Sequence, residues 1–213
     1  MDKLILRPII SAEDKNTFLR EIQEAFQNAY IKAFGTSEET ILPAEDIEGS
    51  FKEKGSETYV AEMGGERVGG AIIVIEDRTG CNSLHFLYVK SDLQNAGYGL
   101  KIWKAIEALH PETKVWETHT PYFDKRNIHF YVNRCGFKIV EFFNPKHKDP
   151  HQTENSTGNI PEENNEFFRL KKEMTQPKFS LQNCVRRRHI PFVNRMKGNY
   201  KFAFLRSGGN RKA

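Results

Sequence analysis

The stretch Leu84–Gly99, LHFLYVKSDLQNAGYG, runs an apolar strand into Gln94-Asn95-Ala96-Gly97-Tyr98-Gly99 and then directly into a helix. Glycines at such a junction let the backbone approach a ligand closely and take positive φ. Successive N–H groups then point into one concavity. The helix N-terminus behind them adds positive partial charge, so the segment is suited to a phosphate or pyrophosphate held by main chain. It is not a Walker A loop, because no G-K-[ST] follows, and it is not G-x-G-x-x-G. Taken alone, it also reads as a plain strand-to-helix turn with two convenient glycines.

A second segment adds to it. Asn127-Ile128-His129-Phe130-Tyr131 leads into Asn133-Arg134-Cys135-Gly136-Phe137, a short helix with a Tyr on it and a Gly-Phe exit to a strand. One strand separates the two segments, so both can reach the same edge of a sheet. On that strand Glu117 and His119 are two apart and share a face, opposite Trp116 and Thr118. If Trp116 faces an apolar layer, the Glu117/His119 face looks into a cleft. A solvated or salt-bridged pair is the competing reading. Cys135 reads as a small buried hydrophobe rather than a nucleophile.

The elements around these residues follow from hydrophobic period. Leu4–Ile10 is a strand, and Ser11 caps a helix whose apolar face carries Phe18, Ile22, Ala25, Phe26, Ala29, Ala33 and Phe34 up to Gly35. Ala44–Lys54 is a second helix. Thr58–Met63 and Arg67–Glu76 are strands joined by a turn at Gly64-Gly65. Ser83–Val89 alternates Leu84, Phe86 and Tyr88 against His85, Leu87 and Val89, which suits a buried central strand. Leu100, Trp103, Ile106 and Leu109 form the stripe of the next helix. Lys114–Thr120 is a strand, Asn127–Arg134 a short helix, and Phe137–Phe143 and Glu166–Lys172 are the last strands, separated by a polar loop over Asn144–Asn165. This order predicts an α/β (α+β) single domain with a mixed, mostly antiparallel sheet flanked by helices.

Together the two segments resemble the GCN5-related N-acetyltransferase (GNAT) family, and the element order extends the resemblance over roughly Leu4–Lys172. The resemblance implies a sheet splayed between the strand near 83–89 and the strand near 114–120, with Phe86–Val89 diverging from Val115–His119. It implies that Gln94, Asn95, Ala96, Gly97, Tyr98 and Gly99 bind the pyrophosphate of acetyl-CoA. Leu87, Tyr88 and Val89 would hold the pantetheine arm, and Asn127 and Phe130 would line it. Many members carry three more residues between this Asn and the Tyr, which bears on the contact expected of Asn127. The acceptor amine would attack the thioester directly, with a main-chain N–H near Leu87 or Val89 polarising the carbonyl. Tyr131 would protonate the departing thiolate, since a phenol with a pKa of about 10 is protonated at neutral pH. Its alternative is a core or rim aromatic. Glu117 or His119 would take the amine proton, directly or through a water. The expected activity is transfer of acetyl from acetyl-CoA to a primary amine, on a small molecule or a peptide. A catalytically idle acyl-CoA-binding or sensor domain is the rival reading. Homodimers are frequent in the resembled family.

Composition sets the remaining bounds. The chain has 213 residues and a net charge of +4, but Pro177–Ala213 holds ten Lys or Arg and no acid. The body therefore has 22 basic and 28 acidic residues, a balance of −6. Any nucleic-acid association would rest on this tail, whose Arg186-Arg187-Arg188 and interleaved aromatics are the only features that suit it. We expect an acetyltransferase domain over residues 1–175 and a basic extension over 176–213. Cys81, Cys135 and Cys184 form no C-x-x-C pair and suit a reducing compartment. With no apolar run of about 18 residues and no signal-peptide pattern, a cytoplasmic protein is expected. His147, Asp149 and His151 lie in the polar loop without a second ligand pair, so no metal is expected.

Overall fold

The computed structural model describes residues 3–37, 39–150 and 165–174. The chain order is β1 (Ile5–Pro8), α1 (Ala12–Phe34), α2 (Ala44–Lys52), β2 (Ser56–Met63), β3 (Glu66–Val74), β4 (Cys81–Val89), α3 (Tyr98–Leu109), β5 (Val115–Pro121), α4 (Lys125–His129), β6 (Lys138–Phe143) and β7 (Phe167–Glu173). Among the described residues, seven strands form one sheet in the order β1-β2-β3-β4-β5-β7-β6. Every neighbouring pair is antiparallel except β4 and β5. This is the mixed, mostly antiparallel sheet with flanking helices that the element order predicts.

Two apolar layers cover the sheet. On one face α1 and α2 pack Phe18, Ile22 and Ile47 against Val60, Ile72, Phe86 and Tyr88. Ser11 starts α1 as expected, its Oγ accepting from Asp14 N at 3.0 Å. The close approach of α1 requires Gly70, where an added Cβ would lie 2.6 Å from the Phe18 ring and 2.7 Å from Tyr59 O. On the other face α3 packs Ile102, Trp103 and Ile106 against Val68, Ile73, Leu84, Trp116 and Leu170. Trp103 and Trp116 meet edge-to-face at 5.4 Å. The stripe of α3 is rotated from the sequence expectation. Leu109 is 47% exposed, while Glu107 is buried because Lys172 and Lys104 neutralise it.

Strand β4 departs from simple alternation. Ile72 pairs with Phe86 but Ile73 pairs with Leu84, so His85 is the extra residue of a β-bulge. A bulge reverses the facing of the residues that follow it. Leu84 therefore joins the α3 layer while Phe86 and Tyr88 join the α1 layer. The parallel pairing with β5 covers only Cys81–Leu84 against Val115–Thr118. The gap in the sheet is thus shorter than expected. Val115–Thr118 remain paired with β4, and only the chain beyond Leu84 and Thr118 diverges.

The last helix also differs from the sequence reading. It begins at Lys125, capped by Asp124, whose Oδ1 accepts from Asn127 N at 2.9 Å. From Phe130 to Cys135 it widens into a π-helix. Its end is fixed where the Tyr131 carbonyl accepts from both Gly136 N and Phe137 N, the latter at 3.0 Å. The proposed tail over 176–213, Cys184, His151 and the greater part of the polar loop lie outside the described residues.

Candidate active site

The divergence of β4 and β5 opens a cavity of about 300 Å³. Leu87, Tyr88, Val89, Gln94, Asn95, Gly97, Tyr98, Gly99, Asn127 and Phe130 all line it. Of the residues expected to bind cofactor, only Ala96 is not among the lining residues. Among the described residues no strand pairs with the β5 side of β4 beyond Leu84, so its main-chain groups border the gap rather than a ladder.

The loop geometry explains the glycine at its end. Gly97 has φ +80° and ψ 6°, a left-handed conformation that caps α3. An added Cβ would meet nothing within 4 Å, and Gly97 is among the residues that line the cavity. The first intrahelical bond of α3 is Lys101 N to Gly97 O at 3.3 Å. The amides preceding Lys101 therefore have no helical carbonyl and are available to a bound anion. Arg126, Arg134 and His129 also line the cavity. The carboxylate among the lining residues, Asp124, is engaged as the cap of α4. Arg126 Nη1 donates to Gln94 Oε1, tying the loop to α4. The sequence reading did not single out these cations. Their position within the Asn-Tyr helix was the available signal, since that helix lies beside the loop.

A smaller recess of about 30 Å³ adjoins this cavity. Phe26, Leu87, Pro121 and Asn127 line both spaces. The recess is completed by Ser50, His85, Phe86, His119, Thr120 and Tyr131. Tyr131 is buried, and burial is the main reason its phenol is held above its ordinary pKa. Cys135 and Asp124 push the same way, and Thr118 opposes. Within the π-helix Phe130 lines the larger cavity and Tyr131 the smaller recess.

The two residues on β5 have different surroundings. Glu117 lines neither space. Its carboxylate lies 3.0 Å from Lys171 Nζ and 3.6 Å from Arg169 Nη1, both on β7. His119 does line the recess. Its ring stacks on Phe143 at 6.0 Å, and its Nε2 is 4.0 Å from Asp149 Oδ2. Cys135 is buried, and burial pushes its thiol up to about 12, which leaves it an unreactive packing residue. Among the described residues no group of three or more His, Cys, Asp or Glu side chains is disposed to hold a metal. No described helix is long and apolar enough to cross a membrane.

The seven-stranded, mostly antiparallel sheet parted between β4 and β5 and flanked by helices is a fold shared with GNAT acetyltransferases. Residues 19–137, more than half of the chain, match the acetyltransferase (GNAT) family, and the chain belongs to that family. The "Uncharacterized protein YrkN" of Bacillus subtilis (strain 168) is 43% identical over 175 residues, covering 81% of this chain and 94% of that protein. Solved structures share the fold at lower identity. A Bacillus subtilis acetyltransferase in complex with CoA is 20% identical, with a TM-score of 0.55 over 82% of this chain and all of that one. The spermidine N-acetyltransferase of Vibrio cholerae, in complex with CoA and spermine, is 14% identical, with a TM-score of 0.57 over 82% of this chain and 97% of that one. The ribosomal-protein-S18-alanine N-acetyltransferase of Escherichia coli is 11% identical, with a TM-score of 0.57 over 86% of this chain and all of that one.

Proposed function

We propose that this protein transfers acetyl from acetyl-CoA to a primary amine without an acyl-enzyme intermediate. The observation that carries this reading is the adjacency of the two spaces, which share Phe26, Leu87, Pro121 and Asn127 as lining residues. The larger cavity ends on the glycine loop and the N-terminus of α3. The recess holding Tyr131 adjoins it at Leu87 and Asn127, past the end of the β4–β5 pairing. A pyrophosphate at the loop and a thioester near Leu87 are thereby compatible with one extended ligand. The unpaired amides of α3, the open face of Gly97 and the nearby Arg126 and Arg134 suit its anionic groups.

Acetyl-CoA, when bound, supplies an activated thioester. The chain's own groups do the rest. Main-chain N–H groups on β4 near Leu87 and Val89 orient the carbonyl and stabilise the charge that develops on its oxygen. Tyr131 keeps its proton at neutral pH because it is buried, and delivers it to the departing sulfur. Residues 1–175 form the catalytic domain in this reading, and 176–213 are an accessory basic extension. The acceptor is an amine on a small molecule or a peptide.

Thiol release from acetyl-CoA, followed over a panel of polyamines, amino acids, aminoglycosides and peptides, tests the reading. The expected result is release that depends on one class of amine, with the acetamide found by mass spectrometry. Binding of CoA with no amine-dependent release across the panel would favour an acyl-CoA sensor instead.

A further inference from the structure

The lining of the larger cavity divides by polarity. Its charged or titrating cap and helix residues, Asp124, Arg126, His129 and Arg134, all fall within residues 124–134. A second group, Ala25, Phe26, Ala29, Ile41, Leu42 and Phe123, is wholly apolar. It comes from α1, the segment after it, and the link between β5 and α4. This wall is held in place by α1. Gln27 Oε1 accepts from Ile41 N at 2.9 Å, and Gln23 Nε2 donates to Leu42 O at 2.9 Å. Phe123 packs against Tyr30 and Phe34, with ring centroids 5.6 and 5.1 Å apart. Ala25 and Ala29 lie one turn apart and offer the cavity no side-chain atom beyond a methyl group.

Phe26 lines the recess of Tyr131 as well, as does Leu87. The apolar wall therefore reaches the place proposed for the thioester. Among the described residues the recess is lined by no Asp, Glu, Lys or Arg. Tyr88, which also lines the cavity, has its hydroxyl engaged by Glu21 Oε2 at 2.7 Å.

We propose that the acceptor is a primary amine carried on an uncharged apolar body, and that diamines and polyamines are poor substrates. This rests on the acetyl-transfer reading above. The loop amides, Arg126 and Arg134 suit the anionic groups of acetyl-CoA, which leaves the apolar wall to the acceptor. Each methylene buried there strengthens association about fourfold. A second ammonium on the same chain would be desolvated against Ile41, Leu42 and Phe123, with no carboxylate to pair with. Asp124, the carboxylate among the lining residues, is engaged as the cap of α4. In the transfer, the amine nitrogen bonds to the acetyl carbon and the C–S bond breaks. An alkylammonium and acetyl-CoA thus give an N-alkylacetamide, a free thiol and one proton.

The test compares n-pentylamine with cadaverine, which carries a second ammonium at the far end of the same carbon chain. Thiol release by the full-length protein should favour n-pentylamine by roughly 10²-fold in kcat/KM. From ethylamine to n-pentylamine, kcat/KM should rise about fourfold per methylene. Binding gives a readout without turnover: with CoA present, n-pentylamine should raise Tm further and cadaverine should not. Ala29→Asp sets a carboxylate in the wall and should narrow the preference about tenfold, whereas Ala29→Asn should leave it wide. The chain-length series on the wild-type protein needs no variant. Cadaverine turned over as well as n-pentylamine, or a flat chain-length series, would overturn the proposal. Release with amino acids or peptides and none of the alkylamines would also overturn it, while acetyl transfer to an amine would stand. Release with no amine at all would remove the acetyl-transfer reading and this proposal together.

Discussion

Thr118 Oγ1 donates a 2.8 Å hydrogen bond to the carbonyl oxygen of Leu84, at the last rung between β4 and β5. Beyond this pair the strands diverge, so one buried side chain closes the parallel ladder at the rim of the proposed pantetheine gap. Thr118→Val keeps the shape and removes the side-chain donor to the Leu84 carbonyl. The expected cost is about 1–2 kcal/mol, or roughly 2–8 °C in Tm for a domain of this size. Acetyl-CoA affinity should fall with it, because the gap loses its fixed edge. Thermal denaturation with and without CoA measures both, and an unchanged Tm would show that the rung does not depend on Thr118.

Tyr131→Phe should retain CoA affinity and lower kcat by roughly 10²-fold. The phenol is buried in the recess and does not line the larger cavity, so removing its oxygen leaves the cofactor contacts in place. Steady-state kinetics beside a CoA titration separate the two quantities. Equal turnover in the variant would remove Tyr131 from proton transfer to sulfur.

Lys172 ties the end of the Tyr131 helix to β7 and α3. Its Nζ donates to the Cys135 carbonyl at 2.6 Å and pairs with the buried Glu107. Lys172→Met leaves Glu107 with only the more exposed Lys104 at 2.7 Å. The expected destabilisation is about 3 kcal/mol, with kcat falling more than CoA affinity as the helix loosens. Adding Glu107→Leu should restore most of the stability and none of the lost turnover. Chemical denaturation and kinetics on the single and double variants check the split.

Burial holds the His85 imidazole down to about 4, from an ordinary value of 6.5. Below 6.5 the unfolded chain takes up a proton that the folded ring does not. The contribution of His85 to stability is therefore complete above about 6.5 and lost as pH falls toward about 4. The full loss is about 3 kcal/mol, and His85→Gln should flatten the acid side of the stability curve by a comparable amount. Urea midpoints across this range in both proteins decide it. Parallel curves would contradict a buried, neutral ring.

The local features of the site were legible because neighbouring residues determine them. The run from Leu84 to Gly99 announces a strand, a glycine turn and a helix, and Asn127–Gly136 announces a Tyr-bearing helix. Hydrophobic period alone gives the strands and main helices, but it places Leu109 on the buried face of α3, because the partner that lets Glu107 be buried is 65 residues away. What the sequence could not supply was register. The bulge at His85 exists only through its pairing with β3, so strict alternation treated that residue as one more position in a core strand. The alternation of β5 leaves Glu117 either facing a cleft or salt-bridged, and only the pairing with β7 brings Arg169 and Lys171 beside its carboxylate. The tie from Arg126 to Gln94 spans 32 residues, and no local pattern announces it.

The central claim is that acetyl-CoA occupies the cavity between the parted strands, with its pyrophosphate on the loop ending at Gly97. Titration of the full chain with acetyl-CoA, followed by thermal denaturation, tests it most directly. Ligand at about 100 times its Kd should stabilise the fold by about 2.7 kcal/mol, a rise of roughly 5–11 °C in Tm, and Gly97→Val should abolish most of that rise. An unchanged Tm for the wild-type protein at millimolar acetyl-CoA would contradict the account.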